Sequence, residues 1–111
     1  MGTSQNTLSY SRRLTSRVET TQGVYVFWNI DGREDLSRVR DLSVGGLFVE
    51  TLNFRAVGTQ AKLHFLVSEG QIRADALVRH VKPGEGLGLK FTAVHEQDRR
   101  HLSALMKRLR T

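Results

Sequence analysis

Alternating apolar and polar positions in the first half of the chain predict short β-strands joined by tight turns. Val24, Val26 and Trp28 alternate with two aromatic residues and mark the first strand, because aromatic and β-branched side chains favour extended backbone. This strand ends near Asp31-Gly32, a dipeptide typical of turns. The first element is therefore predicted to be a strand that enters a hairpin.

Five further strands are predicted after this turn, over residues 36–42, 47–51, 59–67, 72–81 and 87–91. Gly45-Gly46 permits a tight turn between the first two of them. The last three alternate clearly, and their shared apolar faces consist of Ala61, Leu63, Phe65, Val67, Ile72, Ala74, Ala76, Val78, Leu87, Leu89 and Phe91. Short strands at this spacing, joined by glycine turns, are typical of an antiparallel barrel or sandwich.

The hydrophobic period changes at the end of the chain. Leu102, Leu105, Met106 and Leu109 follow the i, i+3, i+4, i+7 spacing of an apolar helix stripe. Acidic residues come early in this segment and basic residues late, which suits the helix dipole. We predict a helix over about 95–110 that packs on the strands, so the fold class is all-β with one C-terminal helix.

Length and composition limit the possible classes of protein. A chain of 111 residues forms one domain, predicted at 12–111 after a flexible N-terminal arm at 1–11. The absence of cysteine excludes disulfides and thiolate chemistry. No apolar run reaches the length of a membrane span, and the N-terminus lacks the pattern of a signal peptide. We therefore expect a cytoplasmic protein with no membrane partner.

The net charge is +6, and 13 of the 17 basic residues are arginine. Arginine is the side chain best suited to bidentate recognition of phosphate and guanine. A polyanionic partner is therefore favoured, whether a nucleotide, a nucleic acid or an acidic protein. The alternative is a charged surface that serves solubility alone.

Two local patterns carry candidate chemistry. Arg13 and Arg17 stand four residues apart before the first strand, and Asp41-x-Ser43-x-x-Gly46 stands at a strand end. A carboxylate can accept hydrogen bonds from the N1–H and N2–H₂ of guanine, and a serine hydroxyl can add another. The glycine allows the backbone to turn or a flat ligand to approach closely.

The order and separation of these patterns resemble the PilZ domain family. Its signature is Arg-x-x-x-Arg followed, about two strands later, by Asp-x-Ser-x-x-Gly, and no signature position departs from it here. The resemblance continues through Gly-Leu-Phe-Val at 46–49, Val-Gly-Thr at 57–59 and Gly-Leu-Gly-Leu-Lys-Phe at 86–91. It covers residues 12–110.

The resemblance implies a six-stranded antiparallel β-barrel followed by a helix, with cyclic di-GMP bound on the outer surface of the barrel. It implies that the signature arginines contact phosphates and guanine edges, while the aspartate and serine hold a guanine. An arginine just before the motif is compatible with a stacked ligand dimer, and single-ligand binding stays open. The implied ligand-binding residues are Arg12, Arg13, Arg17, Asp41, Ser43 and Gly46. A downstream protein partner is implied but not identified.

Several competing interpretations stay open at this stage. Asp41 and Ser43 could bond the local backbone of a turn, as such residues often do. A small basic barrel could instead bind single-stranded nucleic acid through exposed aromatic residues, or serve protein interaction without any nucleotide. The four histidines are too scattered to predict a metal site, and no nucleophile–base set is evident. We therefore predict no enzyme, no metal and no cofactor.

Overall fold

The strands follow the predicted alternation in the computed structural model, which describes residues 18–20 and 23–110. Those residues form seven antiparallel strands, a short 3-10 helix and one α-helix. Their bounds are β1 Val18–Glu19, β2 Tyr25–Ile30, β3 Arg33–Ser43, β4 Gly46–Glu50, β5 Gln60–Val67, β6 Gly70–Lys82, β7 Gly86–Val94, the 3-10 helix Glu96–Asp98 and α1 Arg99–Arg110.

Strands β2 to β7 close into a barrel. Around the barrel the order is β2-β3-β4-β7-β6-β5, and β5 pairs back onto β2. The predicted six-stranded antiparallel barrel followed by a helix is confirmed. The two-residue strand β1 was not predicted. It pairs with Asp41 and Leu42 near the end of β3, whereas β2 pairs with residues 33–38 of the same strand.

The barrel interior is filled by the apolar residues that the alternation predicted to share a face. Trp28 is 1% exposed, and its indole Nε1 donates a hydrogen bond to Ser37 Oγ at 2.8 Å. The buried serine belongs to β3 and satisfies the one polar group that a tryptophan carries into a core. At the end of β2 the predicted turn is also confirmed, with positive φ angles of 54° at Asp31 and 79° at Gly32.

The C-terminal helix packs its stripe as predicted, with Leu102, Leu105 and Met106 buried. The α-helix begins at Arg99, however, because residues 96–98 form a 3-10 helix instead. Among the residues that the structure describes, no helix has the length and apolar content of a membrane span.

A buried ion pair joins this 3-10 helix to the barrel. Asp98 is 2% exposed and accepts bonds from the Arg73 backbone N at 3.0 Å, from Nε at 2.8 Å and from Nη2 at 3.2 Å. The side-chain bonds from Arg73 lower the pKa of Asp98 to about 2. Because the carboxylate must stay in this position, the chain turns tightly at 96–98 before the α-helix starts.

We expect Asp98→Asn to lower the melting temperature at neutral pH by roughly 5–10 °C, because the neutral amide loses the charge-assisted bonds from Arg73 to a buried carboxylate. The folded pKa of Asp98 lies below its ordinary value of 3.8. The pair therefore stabilises the fold above that value, and this stabilisation is lost as the pH falls toward about 2. Thermal melts followed by circular dichroism between pH 7 and pH 2 should show a flatter acid decline in the variant.

The exposed carboxylate of Asp75, which pairs with Lys62 on the surface, provides a matched control. Asp75→Asn should change the melting temperature by less than about 2 °C, since exposed ion pairs contribute little. Equal melting temperatures for Asp98→Asn and the wild type would show that the buried pair does not stabilise the fold.

Candidate ligand-binding surface

A β-bulge on β3 turns two neighbouring charged residues toward the outside of the barrel. Val39 and Leu42 both lie in the core, three positions apart, so strict alternation breaks between them. Val39 is paired with Val49 of β4, and the next pair is Asp41 with Phe48. β3 thus advances by two residues where β4 advances by one, so β3 has one extra residue. Bulges of this kind redirect side chains near functional sites. Arg40 and Asp41 are therefore both excluded from the core.

The N-terminal segment joins the barrel beside this bulge. Val18 of β1 is paired with Leu42, the residue between Asp41 and Ser43. Thr20 then donates its backbone N–H to the Arg40 carbonyl at 3.0 Å. Residues 18–20 directly follow the segment that holds Arg12, Arg13 and Arg17, called the arginine arm below, and are thus fixed to the same stretch of β3 as the Asp-x-Ser motif.

Three predicted ligand residues, Arg12, Arg13 and Arg17, lie outside the described residues, as does the predicted boundary between arm and domain at residues 11 and 12. Their contacts with a ligand stay a prediction. Asp41 is described: it is half-buried on β3, between Glu19 of β1 and Phe48 of β4. The structure therefore places the motif aspartate next to the attachment point of the arm.

Ser43 is a turn residue in this structure. Its Oγ accepts hydrogen bonds from the backbone N–H groups of Gly45 at 3.2 Å and Gly46 at 3.1 Å, and donates to the Gly46 carbonyl at 3.2 Å. A hydroxyl has one donor and two acceptor positions, so the β3–β4 turn uses all three. The interpretation that Ser43 bonds the local backbone is confirmed, and a contact with guanine stays a prediction.

Gly46 has a steric role that the sequence did not reveal. A Cβ at this position would lie 2.2 Å from the carbonyl oxygen of Leu89 on β7. That is far inside van der Waals contact, so only glycine allows β4 to pair this closely with β7 at this point. Gly46 is needed for the barrel, and its predicted contact with a ligand is not tested by the structure.

Two arginines of β3 near the motif, Arg38 and Arg40, are neutralised by carboxylates. Arg40 contacts Glu85 Oε1 through Nη1 at 2.9 Å and Glu50 Oε2 through Nε at 3.3 Å, and its guanidinium lies 4.6 Å from the centre of the Phe48 ring. The bond from Arg40 lowers the pKa of Glu85. Arg38 also pairs with Glu50, at 3.1 Å. These pairs leave little net positive charge on this part of β3.

A groove lined by basic residues lies next to the β3–β4 turn and was not predicted from the sequence. It is called the basic trough below. This open groove has a volume of about 460 Å³ and is lined by Ser43, Gly45, Arg79, His80, Gly88, Leu89 and Lys90. One signal for it was present in the sequence, because Val78 and Val81 are three apart and break the alternation of β6. The trough adds cationic side chains from β6 and β7 to the surface around the motif.

Comparison with known proteins gives a family and a fold. A family model described as the PilZ domain matches residues 11–108. The PilZ domain of Escherichia coli YcgR, solved with c-di-GMP, superposes with a TM-score of 0.68 at 20% identity, covering 89% of this chain and 92% of that one. The PilZ domain of CeSA from a cellulose-synthesizing bacterium gives 0.66 at 16% identity, covering 87% and 100%.

Longer proteins contain the same fold. The K. pneumonia MrkH–c-di-GMP complex gives a TM-score of 0.68 at 20% identity over 88% of this chain. This chain spans about half of the length of MrkH, at 51%, and of Bacillus subtilis MotI/DgrA, at 50%. No curated protein sequence matches the chain. At these identities the structural likeness establishes a shared fold.

Proposed function

Because the chain belongs to the PilZ domain family, we propose that it is a cytoplasmic receptor domain that binds cyclic di-GMP reversibly and acts through a protein partner. PilZ domains are receptor or adaptor domains rather than catalytic ones, so no chemistry on the ligand is proposed. Solved domains of this fold from YcgR and MrkH hold c-di-GMP. The observation that carries the proposal is the bulge, which directs Asp41 outward beside the point where the arginine arm is attached.

The chemistry of the residues supports this ligand. The Asp41 carboxylate accepts hydrogen bonds from the N1–H and N2–H₂ of one guanine. Arg13 and Arg17 present planar forks that match phosphate oxygens and the O6/N7 edge of guanine. Arg12 adds a third planar cation, which suits a stacked ligand dimer. A ligand with two guanines and two phosphates uses all of these groups together.

Ser43 and Gly46 already have structural roles in the β3–β4 turn, which limits their proposed contributions to ligand binding. Ser43 can bond a guanine only by giving up one of its three bonds to the β3–β4 turn. Gly46 contributes indirectly, because it lets β4 pair closely with β7 beside the motif. We therefore assign the main recognition of guanine to Asp41, and a weaker contribution to Ser43.

Calorimetric titration of Asp41→Ala with cyclic di-GMP tests the proposal. Guanine donors left without an acceptor should weaken binding by about 1–3 kcal/mol, or roughly 5- to 150-fold. Binding of an oligonucleotide should stay equal or improve, because a carboxylate repels a phosphate backbone. The ratio of ligand to chain in the wild-type titration reports the stacked dimer, for which we expect two ligands per chain and one in Arg12→Leu.

Asp35→Ala is the matched control, because it removes the same charge from the same strand at the far end of β3, where Asp35 bonds Asn53. Its affinity for cyclic di-GMP should match that of the wild type. Cyclic di-AMP should bind much more weakly, since adenine lacks O6 and the N1–H. Unchanged affinity in a folded Asp41→Ala, or equal binding of cyclic di-AMP, would contradict the proposal.

A further inference from the structure

The basic trough owes its shape to a second bulge. Val78 of β6 is paired with Leu89 of β7, and the next pair is His80 with Gly88. β6 thus has one extra residue, Arg79, between the two pairs. Arg79 and His80 are consecutive and both exposed as a result, whereas strict alternation would direct one of them inward. The fold therefore presents two polar side chains side by side on the outer surface.

Gly88 of β7 allows the His80 side chain to pack closely against this strand in the trough. A Cβ on Gly88 would lie 2.4 Å from Cε1 of His80, so the imidazole ring lies across β7 at this point. Lys90 is paired with Gly46 and lines the same groove as Ser43 and Gly45 of the β3–β4 turn. The trough is thus continuous with the β3–β4 turn that Ser43 holds.

The cations of the trough are available for a ligand. Arg79 and Lys90 are exposed, and within residues 18–20 and 23–110 the side chain of neither has a hydrogen-bond or ion-pair partner. This differs from Arg38 and Arg40, which are paired with glutamates at the bulge of β3. Two unpaired cations on neighbouring strands suit one phosphate group.

The position of the trough relates it to the proposed guanine site. Strands β3, β4, β7 and β6 are consecutive in the barrel. Arg79 of β6 and Lys90 of β7 line the same groove as Ser43 and Gly45 of the β3–β4 turn. Arginine and lysine side chains extend several ångströms from their strands, and those of Arg79 and Lys90 can therefore reach toward the β3–β4 turn.

We propose that the trough is a second part of the same binding site, in which Arg79 and Lys90 bind a phosphate of the cyclic di-GMP whose guanine contacts Asp41. This inference depends on the proposed function, because it names further ligand contacts for that ligand. His80 forms the wall of the trough beside the ligand.

The double variant Arg79→Gln/Lys90→Gln tests this inference by calorimetry with cyclic di-GMP. We expect its affinity to fall by about ten- to a hundredfold, since charge-assisted bonds to a phosphate are lost. The control Arg100→Gln/Lys107→Gln removes the same charge from the exposed face of α1 and should lose less than about threefold. Melting temperatures within about 2 °C of the wild type confirm that both variants are folded.

The outcomes separate this inference from the proposal on which it rests. If the wild type binds cyclic di-GMP and the trough variant binds it as tightly as the wild type, the trough assignment is wrong and the receptor proposal stands. If the trough variant and the α1 control lose the same affinity, the trough assignment is also wrong, because the loss then reflects net charge alone. A wild type that does not bind cyclic di-GMP overturns both.

Discussion

The double variant Arg13→Ala/Arg17→Ala should bind cyclic di-GMP at least about 150-fold more weakly than the wild type. Each arginine is expected to supply charge-assisted hydrogen bonds to phosphate or guanine that contribute about 1.5–3 kcal/mol. Together the two account for about 3–6 kcal/mol if their contributions add. Calorimetry or a competition assay with labelled ligand measures this loss directly.

The fold should tolerate this change. The core cluster among the described residues runs from Val24 to Met106, and arginine side chains are rarely part of an apolar core. The melting temperature should therefore change by less than about 2 °C. Arg33→Ala/Arg100→Ala removes two exposed arginines from elsewhere and controls for net charge. If the arm variant unfolds while its affinity stays intact, the two arginines are structural and their assignment to the ligand is wrong.

The second large effect is expected at Gly46, where alanine should destabilise the barrel. The added Cβ would lie 2.2 Å from the Leu89 carbonyl oxygen and 3.1 Å from the Lys90 Cα, both of them backbone atoms that cannot rotate away. Separating β4 from β7 to relieve this contact should cost about 3 kcal/mol, roughly 10–20 °C in melting temperature. Thermal and urea unfolding followed by circular dichroism measure both quantities.

Gly45 is a close control for this substitution. Its added Cβ would meet only Ser43 Oγ, at 3.9 Å, which is an ordinary contact. Gly45→Ala should therefore melt within about 2 °C of the wild type. If the two variants have equal stability, the close approach of β4 and β7 does not restrict position 46 to glycine. Any loss of ligand binding in Gly46→Ala would then point to a contact with the ligand.

Much of the fold was predictable because its signals are local. Periods of 2 and 3.6 residues reveal which side chains share a face, and the predicted core-facing residues from Ala61 to Phe91 are buried or half-buried. The bulges were not predicted. The strand predicted over 36–42 does continue through Val39 and Leu42, but only its pairing with β4 shows that a bulge lies between them.

The candidate site was predictable only in part, because its remaining components come from distant parts of the chain. The motif indicated Asp41, but Arg79 and Lys90 reach the same surface through the pairing of β4 with β7 and of β7 with β6. The start of α1 was displaced for a similar reason. Asp98 is held by Arg73, 25 residues earlier in the sequence, and no local pattern reveals that partner.

The pairing of Val18 with Leu42 also limits how far the arginine arm can extend. An extended chain spans at most about 3.6 Å per residue, so Arg12, six residues before Val18, stays within about 22 Å of that pairing. A short tether of this kind gives the tethered group an effective concentration in the millimolar range. When one ligand contacts both the arm and the barrel, the second contact is therefore intramolecular. On the proposed function, we therefore expect strand β1, only two residues long, to increase the apparent affinity of the domain for cyclic di-GMP.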